Sequence, residues 1–365
     1  MTLTPSADQM LLLKALLSDG DETLANWTAW RQTITVDDVD FASQRLLPLL
    51  LAKLQQRGVD HPDLNRYRSV ARYAWFKNQL LIRVAHRVLA ALGAAGVPAM
   101  PIADLAVASL YYDDDRLRAM NALDILVPVA AAADAAQVLL RDGWSSAAAH
   151  ALSAAGYLRT HDVMVLSGAE RETCGLHWHL LRECCAPHAD DVFWQGAQRV
   201  AIGDVEAQTL SDTDQLFHVW LRGNAPSGAA PIGWIVDSAQ ILRSRPIDWD
   251  RFAELTRSFA VVARMQRAVH CLREIFGLPI PDAAAARLAA LQPGGIERLE
   301  ERAAGAKLHP AARAALARYA HYRRNHSPGE GFFRYLQDVY GTQSLAATLR
   351  SAAGRAAASV AGRGR

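Results

Sequence analysis

Residues 97–128 read VPAMPIADLAVASLYYDDDRLRAMNALDILVP. Two short apolar runs, Val97 to Ile102 and Ala122 to Val127, bracket a stretch from Asp104 to Leu110 in which apolar residues recur at helical spacing. The expectation is therefore strand, helix, strand. Asp113-Asp114-Asp115 lies between helix and second strand and reads as a solvated loop, with a metal-diphosphate Asp-x-Asp site as the sharper alternative. Further on, Ala130 to Leu140 reads as a helix closed by Asp142-Gly143. Asp162–Leu166 and Glu172–Leu180 read as two strands joined by a glycine-containing turn, Ser167-Gly168-Ala169-Glu170-Arg171. Alternating strands and helices of this kind define a compact α/β core over residues 93–205.

Outward from that core the pattern is helical on both sides. From Gln9 to about Leu92 apolar residues repeat at three and four, which predicts three or four helices, one of them beginning at Pro48 because proline fits a first turn. After Asp212 helices are expected at Thr213–Leu221, Gly233–Leu242, Trp249–Phe259, Val261–Phe276 and Ala283–Leu291, with Asp248-Trp249 and Pro281-Asp282 as starts. Gly331 to Leu349 carries a further apolar stripe. The expected organisation is a helical region over 1–92, the α/β core over 93–205, a helical domain over 206–345 and an Ala/Arg-rich tail over 346–365, frayed. The fold class is α+β: a small mixed sheet flanked by helical regions.

The chain has 365 residues, 51% of them hydrophobic and 21% charged, which excludes wholesale disorder and a rod. Thirty-nine basic and 37 acidic residues leave a net charge of +2. A chain so nearly balanced gives no ground for a nucleic-acid partner. The longest uncharged apolar stretch, Val88 to Ala103, is interrupted by Gly93, Gly96, Pro98 and Pro101, so no membrane span is expected. No signal peptide is read at the start. Together with four cysteines in no framework spacing, this predicts a cytoplasmic protein.

Five stretches then bear on identity: RLLPLLLAKL (45–54), GVPAMPIADLAVASLYY (96–112), RLRAMNALDILVP (116–128), GLHWHLL (175–181) and WIVDSAQILRSRPIDWDRF (234–252). In this order they resemble the uncharacterised nucleotidyltransferase family, whose core belongs to the polymerase-β-like superfamily. Members show an aliphatic run ending in Leu-Lys-Gly, an arginine shortly before Asp-x-Asp-Leu-Leu-Val, and an Asp-Leu-His-Trp strand. The resemblance implies a nucleotidyltransferase-like core and transfer of a nucleotidyl group. For that reaction three carboxylates hold two Mg²⁺ ions against a triphosphate.

Placed on this chain, the pattern is degenerate. The second aspartate of Asp-x-Asp is Asp124, but the first falls on Ala122. The third carboxylate falls on Gly175. Counting back from Tyr111-Tyr112 puts the Lys-Gly pair on Ala103 and Asp104. Arg118 and Asp124 are the charged positions retained, and Asp124 is the one expected metal ligand. Asp104, at a helix start, is expected as an N-cap that satisfies the free N–H groups itself and repels an incoming phosphate.

Three functions follow as expectations. The leading one is a nucleotidyltransferase-like protein that has lost ordinary metal-dependent transfer. The second is a repurposed transferase acting on a phosphorylated or sugar-bearing acceptor, as in polysaccharides or modified peptides, with Arg118 holding phosphate and His179 or Asp124 as base. The third is a pseudoenzyme that binds a protein or peptide partner. Mg²⁺ is expected only if nucleotidyl transfer survives, with Asp124 as the remaining ligand and Asp104 or the Asp113–Asp115 run substituting for the missing acids; a nucleotide or sugar phosphate is the expected small ligand, with Arg118, Asp104 and His177 as the residues expected around it.

His177 and His179, two apart on a strand, should share a face, with Cys184, Cys185 and His188 close behind. That arrangement lacks the Cys-x-x-Cys knuckle of a zinc site. His177 is assigned to substrate binding beside Trp178, and His179 to proton transfer. Arg313, Arg318, Tyr319, Tyr322, Arg323 and Arg324 interleave cations and aromatics on an expected helix, read as an ordinary exposed face rather than a nucleic-acid platform.

Overall fold

The computed structural model describes residues 5–149, 152, 156–170, 172–182, 184–224, 232–298, 310–325, 331–340, 342, 344, 346–348 and 350. The leader comprises α1 (Ala7–Leu17), α2 (Asp21–Thr33), α3 (Phe41–Gln44), α4 (Leu47–Gln56) and α5 (Asp63–Ala94). Among the described residues this makes five α-helices where three or four were expected. The extra division comes from polar starts that periodicity does not register. Ser6 and Gln9 form a reciprocal capping box at α1, and Asp40 accepts from the N–H groups of Ala42 and Ser43 to open α3. Pro48 sits in the first turn of α4, as expected.

The core strands are β1 (Met100–Ile102), β2 (Leu123–Leu126), β3 (Val163–Ser167) and β4 (Thr173–His177), with α6 (Ala103–Tyr111) and α7 (Ala132–Arg141) between them in sequence. They form one mixed sheet in the order β1-β2-β4-β3. β3 and β4 are antiparallel, with Val163 opposite His177 and Ser167 opposite Thr173. Every residue of β2 is buried, as an interior strand requires, while β3 alternates buried and exposed positions as an edge strand does. β4 ends at His177, so the expected strand to Leu180 is shorter than read.

A second, two-stranded sheet pairs β5 (Gln198–Ile202) with β6 (Val205–Thr209). It was not expected from the sequence, yet its signal is there: Gly203-Asp204 between alternating residues is a two-residue hairpin loop, and Gly203 takes φ +59°.

After α8 (Asp191–Gln195) and the hairpin, the chain is helical again: α9 (Asp212–Gly223), α10 (Gly233–Ser244), α11 (Trp249–Ser258), α12 (Val262–Val269), a π-helical turn at His270–Ile275, α13 (Asp282–Ala290), α14 (Pro310–Asn325) and α15 (Phe332–Tyr340). The side chain of Arg313 and the tail from residue 351 lie outside the described residues.

Two compact units result, each assembled from separated stretches of chain. One holds Met1–Arg87, Pro101–Leu123 and Gly196–Glu297, and the other Val88–Met100, Asp124–Gln195 and Arg298–Arg365. In the first, α9 is the central helix, buried at nearly every position. Phe217 and Trp220 on α9 meet Phe252 of α11 edge-on, with ring centroids 5.7 and 4.9 Å apart. In the second, Trp178, Leu176 and Leu166 are fully buried. There, too, Tyr322 of α14 donates to Asp338 of α15 at 2.7 Å.

Candidate functional site

In the first unit the retained arginine is fully engaged. Arg118 donates from Nε to Asp237 Oδ1 and from Nη2 to Asp237 Oδ2, both at 2.8 Å. Nη2 also reaches Asp104 Oδ1 at 2.9 Å, and Nη1 donates to the Asp104 carbonyl at 3.1 Å. Arg45 takes Asp104 Oδ2 at 2.9 Å, and the Asn121 N–H donates to that same oxygen. Tyr112 completes the set, its hydroxyl donating to Asp237 Oδ1 at 2.7 Å. Two arginines and two aspartates thus neutralise one another around Asp104.

The electrostatics follow from that geometry. Burial alone would raise the Asp104 carboxyl, but Arg118, Arg45 and the Asn121 N–H outweigh it and hold Asp104 far below the usual carboxylate range. Burial works against the charge on Arg118 as well, and Asp237 and Asp104 overcome it, so the guanidinium stays protonated. Burial and the adjacent Asp237 push the Tyr112 hydroxyl well up. A guanidinium whose fork is already occupied by a carboxylate has no bidentate face left for phosphate.

Asp104 does not cap α6. Ile102 is the N-cap residue and no side chain caps it; Asp104 lies in the first turn with its oxygens turned to Arg45, Arg118 and Asn121. An ion-paired carboxylate outcompetes a local cap because charge-assisted bonds are the stronger. The residue with left-handed backbone at this junction is Ala103, φ 56°. That conformation suits glycine.

The acidic loop next to this network is self-paired. Asp114 accepts from Nε and Nη2 of Arg116, which pulls its carboxyl down to about 2. Gln79 bonds Asp115. Asp113 is exposed. The solvated-loop reading describes these contacts.

In the second unit Asp124, on β2, faces β4. His177 Nε2 lies 3.1 Å from Asp124 Oδ1, and the backbone ties the strands where the Val127 N–H donates to the His177 carbonyl at 2.8 Å. His177 Nδ1 is buried with no hydrogen-bond partner. Between the two side chains sits Gly175. A Cβ built there would lie 2.5 Å from Asp124 Oδ1 and 3.0 Å from His177 Nε2, so any larger residue at 175 requires the ends of both side chains to move.

His179 does not share this surface. The strand has ended by then, and His179 turns inward with 1% of its side chain exposed. Its Nδ1 is 2.6 Å from Asp190 Oδ2, while Asp190 Oδ1 accepts from the Leu180 N–H. This closed pair pins the turn after β4. Cys184 and Cys185 are buried, and His188 is an exposed residue beside Asp191. Cys174, on β4 beside Gly175, is a buried thiol whose ionisation burial and Asp124 both oppose.

Sequence reasoning did not reach Arg45, Asp190 or Asp237. Asp237 stands within the quoted Trp-Ile-Val-Asp stretch, which was its one available signal.

A pair of Mg²⁺ ions would make a specific demand on these donors. Two hard cations need several carboxylate oxygens, and here Asp124 is flanked by an alanine at 122 and a glycine at 175. Among the described residues, no group of three or more His, Cys, Asp or Glu side chains is placed to hold a metal ion. The residues present do not fit the metal pair.

Helices around a small sheet, with the quoted motifs on β1-α6-β2 and β4, define an α+β protein with a nucleotidyltransferase-like domain. The family model described as uncharacterised nucleotidyltransferase matches residues 41–277, more than half of the chain, and the chain belongs to that family. No curated protein and no solved structure matches it. Among the described residues, no helix is long and apolar enough to cross a membrane.

Proposed function

We propose that this chain keeps the family's fold and does not carry out ordinary metal-dependent nucleotidyl transfer. The observation that carries this reading is the donor set around Asp124, which has alanine at 122 and glycine at 175 and is itself joined to His177; a larger residue at 175 would need the ends of the Asp124 and His177 side chains to move. The saturation of Arg118 by Asp237 and Asp104 points the same way, because it leaves no cationic fork for a triphosphate. A thermal-shift panel of nucleoside triphosphates and nucleotide sugars, with and without Mg²⁺, tests it. A ligand at 100-fold its Kd adds about 2.7 kcal/mol of apparent stability. The reading expects no Mg²⁺-dependent shift with any triphosphate, and one such saturable shift contradicts it.

One observation favours a second reading, a repurposed transferase for a phosphorylated or sugar-bearing acceptor. His177 Nδ1 has no partner while Nε2 is held by Asp124. With the hydrogen on Nε2, Nδ1 keeps its lone pair. Nδ1 is itself enclosed, so it takes the proton of an acceptor hydroxyl only once the bound acceptor opens that pocket, as the hydroxyl oxygen bonds the donor's electrophilic centre and the leaving group departs with the electron pair. His177 is the base in this reading because its side chain is 13% exposed, against 1% for His179. A metal-independent shift with a nucleotide sugar, lost in His177→Ala, selects this reading over the first.

A further inference from the structure

We infer that the exposed face of α5 between Asn65 and Arg83 docks on an anionic lipid surface, so that the protein is peripheral to a membrane without spanning it. The buried side of this helix is conventional: Leu64, Tyr67, Ala74, Leu81 and Ala85 are packed, and Asn78 anchors it by donating to the Arg118 carbonyl at 2.8 Å. Its outer side is not. Tyr73, Trp75, Phe76 and Leu80 are 66%, 41%, 54% and 38% exposed, and positions 73, 76 and 80 fall on one stripe of the helix. Four large apolar side chains so close together on the surface call for a partner.

Charge says what kind. From Leu64 to Ala94 the helix has no acidic residue, and it carries Arg66, Arg68, Arg72, Lys77, Arg83 and Arg87. Arg66 is paired with Asp37 at 2.7 Å, and Lys77 lies 6.0 Å from the Tyr73 ring centroid. Arg72 and Arg83 are exposed beside the stripe. Of the acidic loop that Gln79 holds to this helix, Asp114 is paired with Arg116 and Asp115 with Gln79, which leaves Asp113 as its exposed acid against these arginines. A second copy of this face would set arginine against arginine. The chain's own last residues are no complement either, since Arg350, Arg355, Arg363 and Arg365 come with no acid. The occupant is therefore anionic.

It must also accept apolar groups. Leu80 offers a nucleic-acid strand neither a stacking face nor a polar atom, and Phe76 and Leu80 would both stay wet against a hydrated acidic peptide. A bilayer interface instead takes up Phe and Leu, holds Trp and Tyr at headgroup level and places arginine against lipid phosphate.

Co-sedimentation of the full chain with vesicles tests this. Binding is expected to phosphatidylcholine vesicles containing phosphatidylserine and not to phosphatidylcholine alone, and salt should release it. Arg72→Gln and Arg83→Gln should each weaken it roughly fivefold, and Phe76→Ser with Leu80→Ser by about tenfold or more. These positions are exposed, so an unchanged melting temperature confirms that each variant is folded. Equal binding to both vesicle types, or none to the anionic ones, overturns the inference. So does tight binding of a mixed-sequence single-stranded RNA, lost in the same variants, with no vesicle binding.

Discussion

Arg118 and Asp237, 119 residues apart in sequence, meet through two parallel hydrogen bonds of 2.8 Å, with side chains only 12% and 9% exposed. An arginine held this way is a structural cation. It fixes the start of α6 to α10 through Asp104 and Asp237.

Removing Arg118 leaves the Asp237 carboxylate with the Tyr112 hydroxyl in place of a counter-charge, whereas removing Asp237 leaves Arg118 beside Asp104. Arg118→Gln should therefore cost about 3–5 kcal/mol in denaturant unfolding, and Asp237→Asn less. The double replacement Arg118→Met with Asp237→Leu should recover most of that loss, since apolar substitutes for a buried pair are often neutral. A single variant that unfolds like the parent would show the pair to be ornamental.

Asp104 makes the network sensitive to acid. Its folded carboxyl is held far below the value of about 3.9 expected in the unfolded chain. The stabilisation is therefore complete above the unfolded value and is lost as the pH falls through the folded one. The stability gap between the parent and Asp104→Asn should be widest near neutrality and shrink steadily below about pH 4. Acid titration of the unfolding midpoint reads this, and a gap that widens in acid contradicts it.

Gly175 is crowded enough to report on its neighbours. Gly175→Ala should destabilise by about 1–3 kcal/mol, the usual cost of overpacking, because Asp124 and His177 must both shift. Combining it with His177→Ala should relieve part of the cost. Gly175→Asp with Ala122→Asp should not create a Mg²⁺ site while His177 remains. Isothermal titration with Mg²⁺ checks this, and a saturable heat from that variant would refute it.

Cys174 and Cys271 are both buried, and burial pushes the Cys271 thiol up to about 11. Neither should react with a thiol reagent in the folded protein, and both should label on unfolding. Peptide mapping after a native pulse decides; rapid native labelling of Cys174 would mean that β4 opens.

The central strand-helix-strand was legible because burial forces apolar runs: Ala122 to Val127 contains β2, and Asp104 to Leu110 lies within α6. The helices after Asp212 were legible for the same reason, and Asp248 caps α11 with two hydrogen bonds to the N–H groups of Asp250 and Arg251. The hairpin around Gly203-Asp204 was overlooked because its strands are half exposed and polar, which weakens the apolar signal. At the site, motif order singles out Asp124, Arg118 and Gly175, and the structure places Asp124 beside Gly175. Their partners could not be read from motif order. Asp237 and Arg45 come to Arg118 and Asp104 through tertiary packing, and nothing local in the sequence specifies which carboxylate an arginine will choose. His177 and His179 looked equivalent by strand alternation, but β4 ends between them.

Manganese binding tests the central claim most directly. With Mn²⁺ as a paramagnetic stand-in for Mg²⁺ and a non-hydrolysable nucleoside triphosphate present, electron paramagnetic resonance counts the ions that the chain removes from solution. The account predicts that free Mn²⁺ is the same with the protein as with the nucleotide alone, and that Asp124→Ala changes nothing. Two ions taken up per chain, and released by Asp124→Ala, would contradict it.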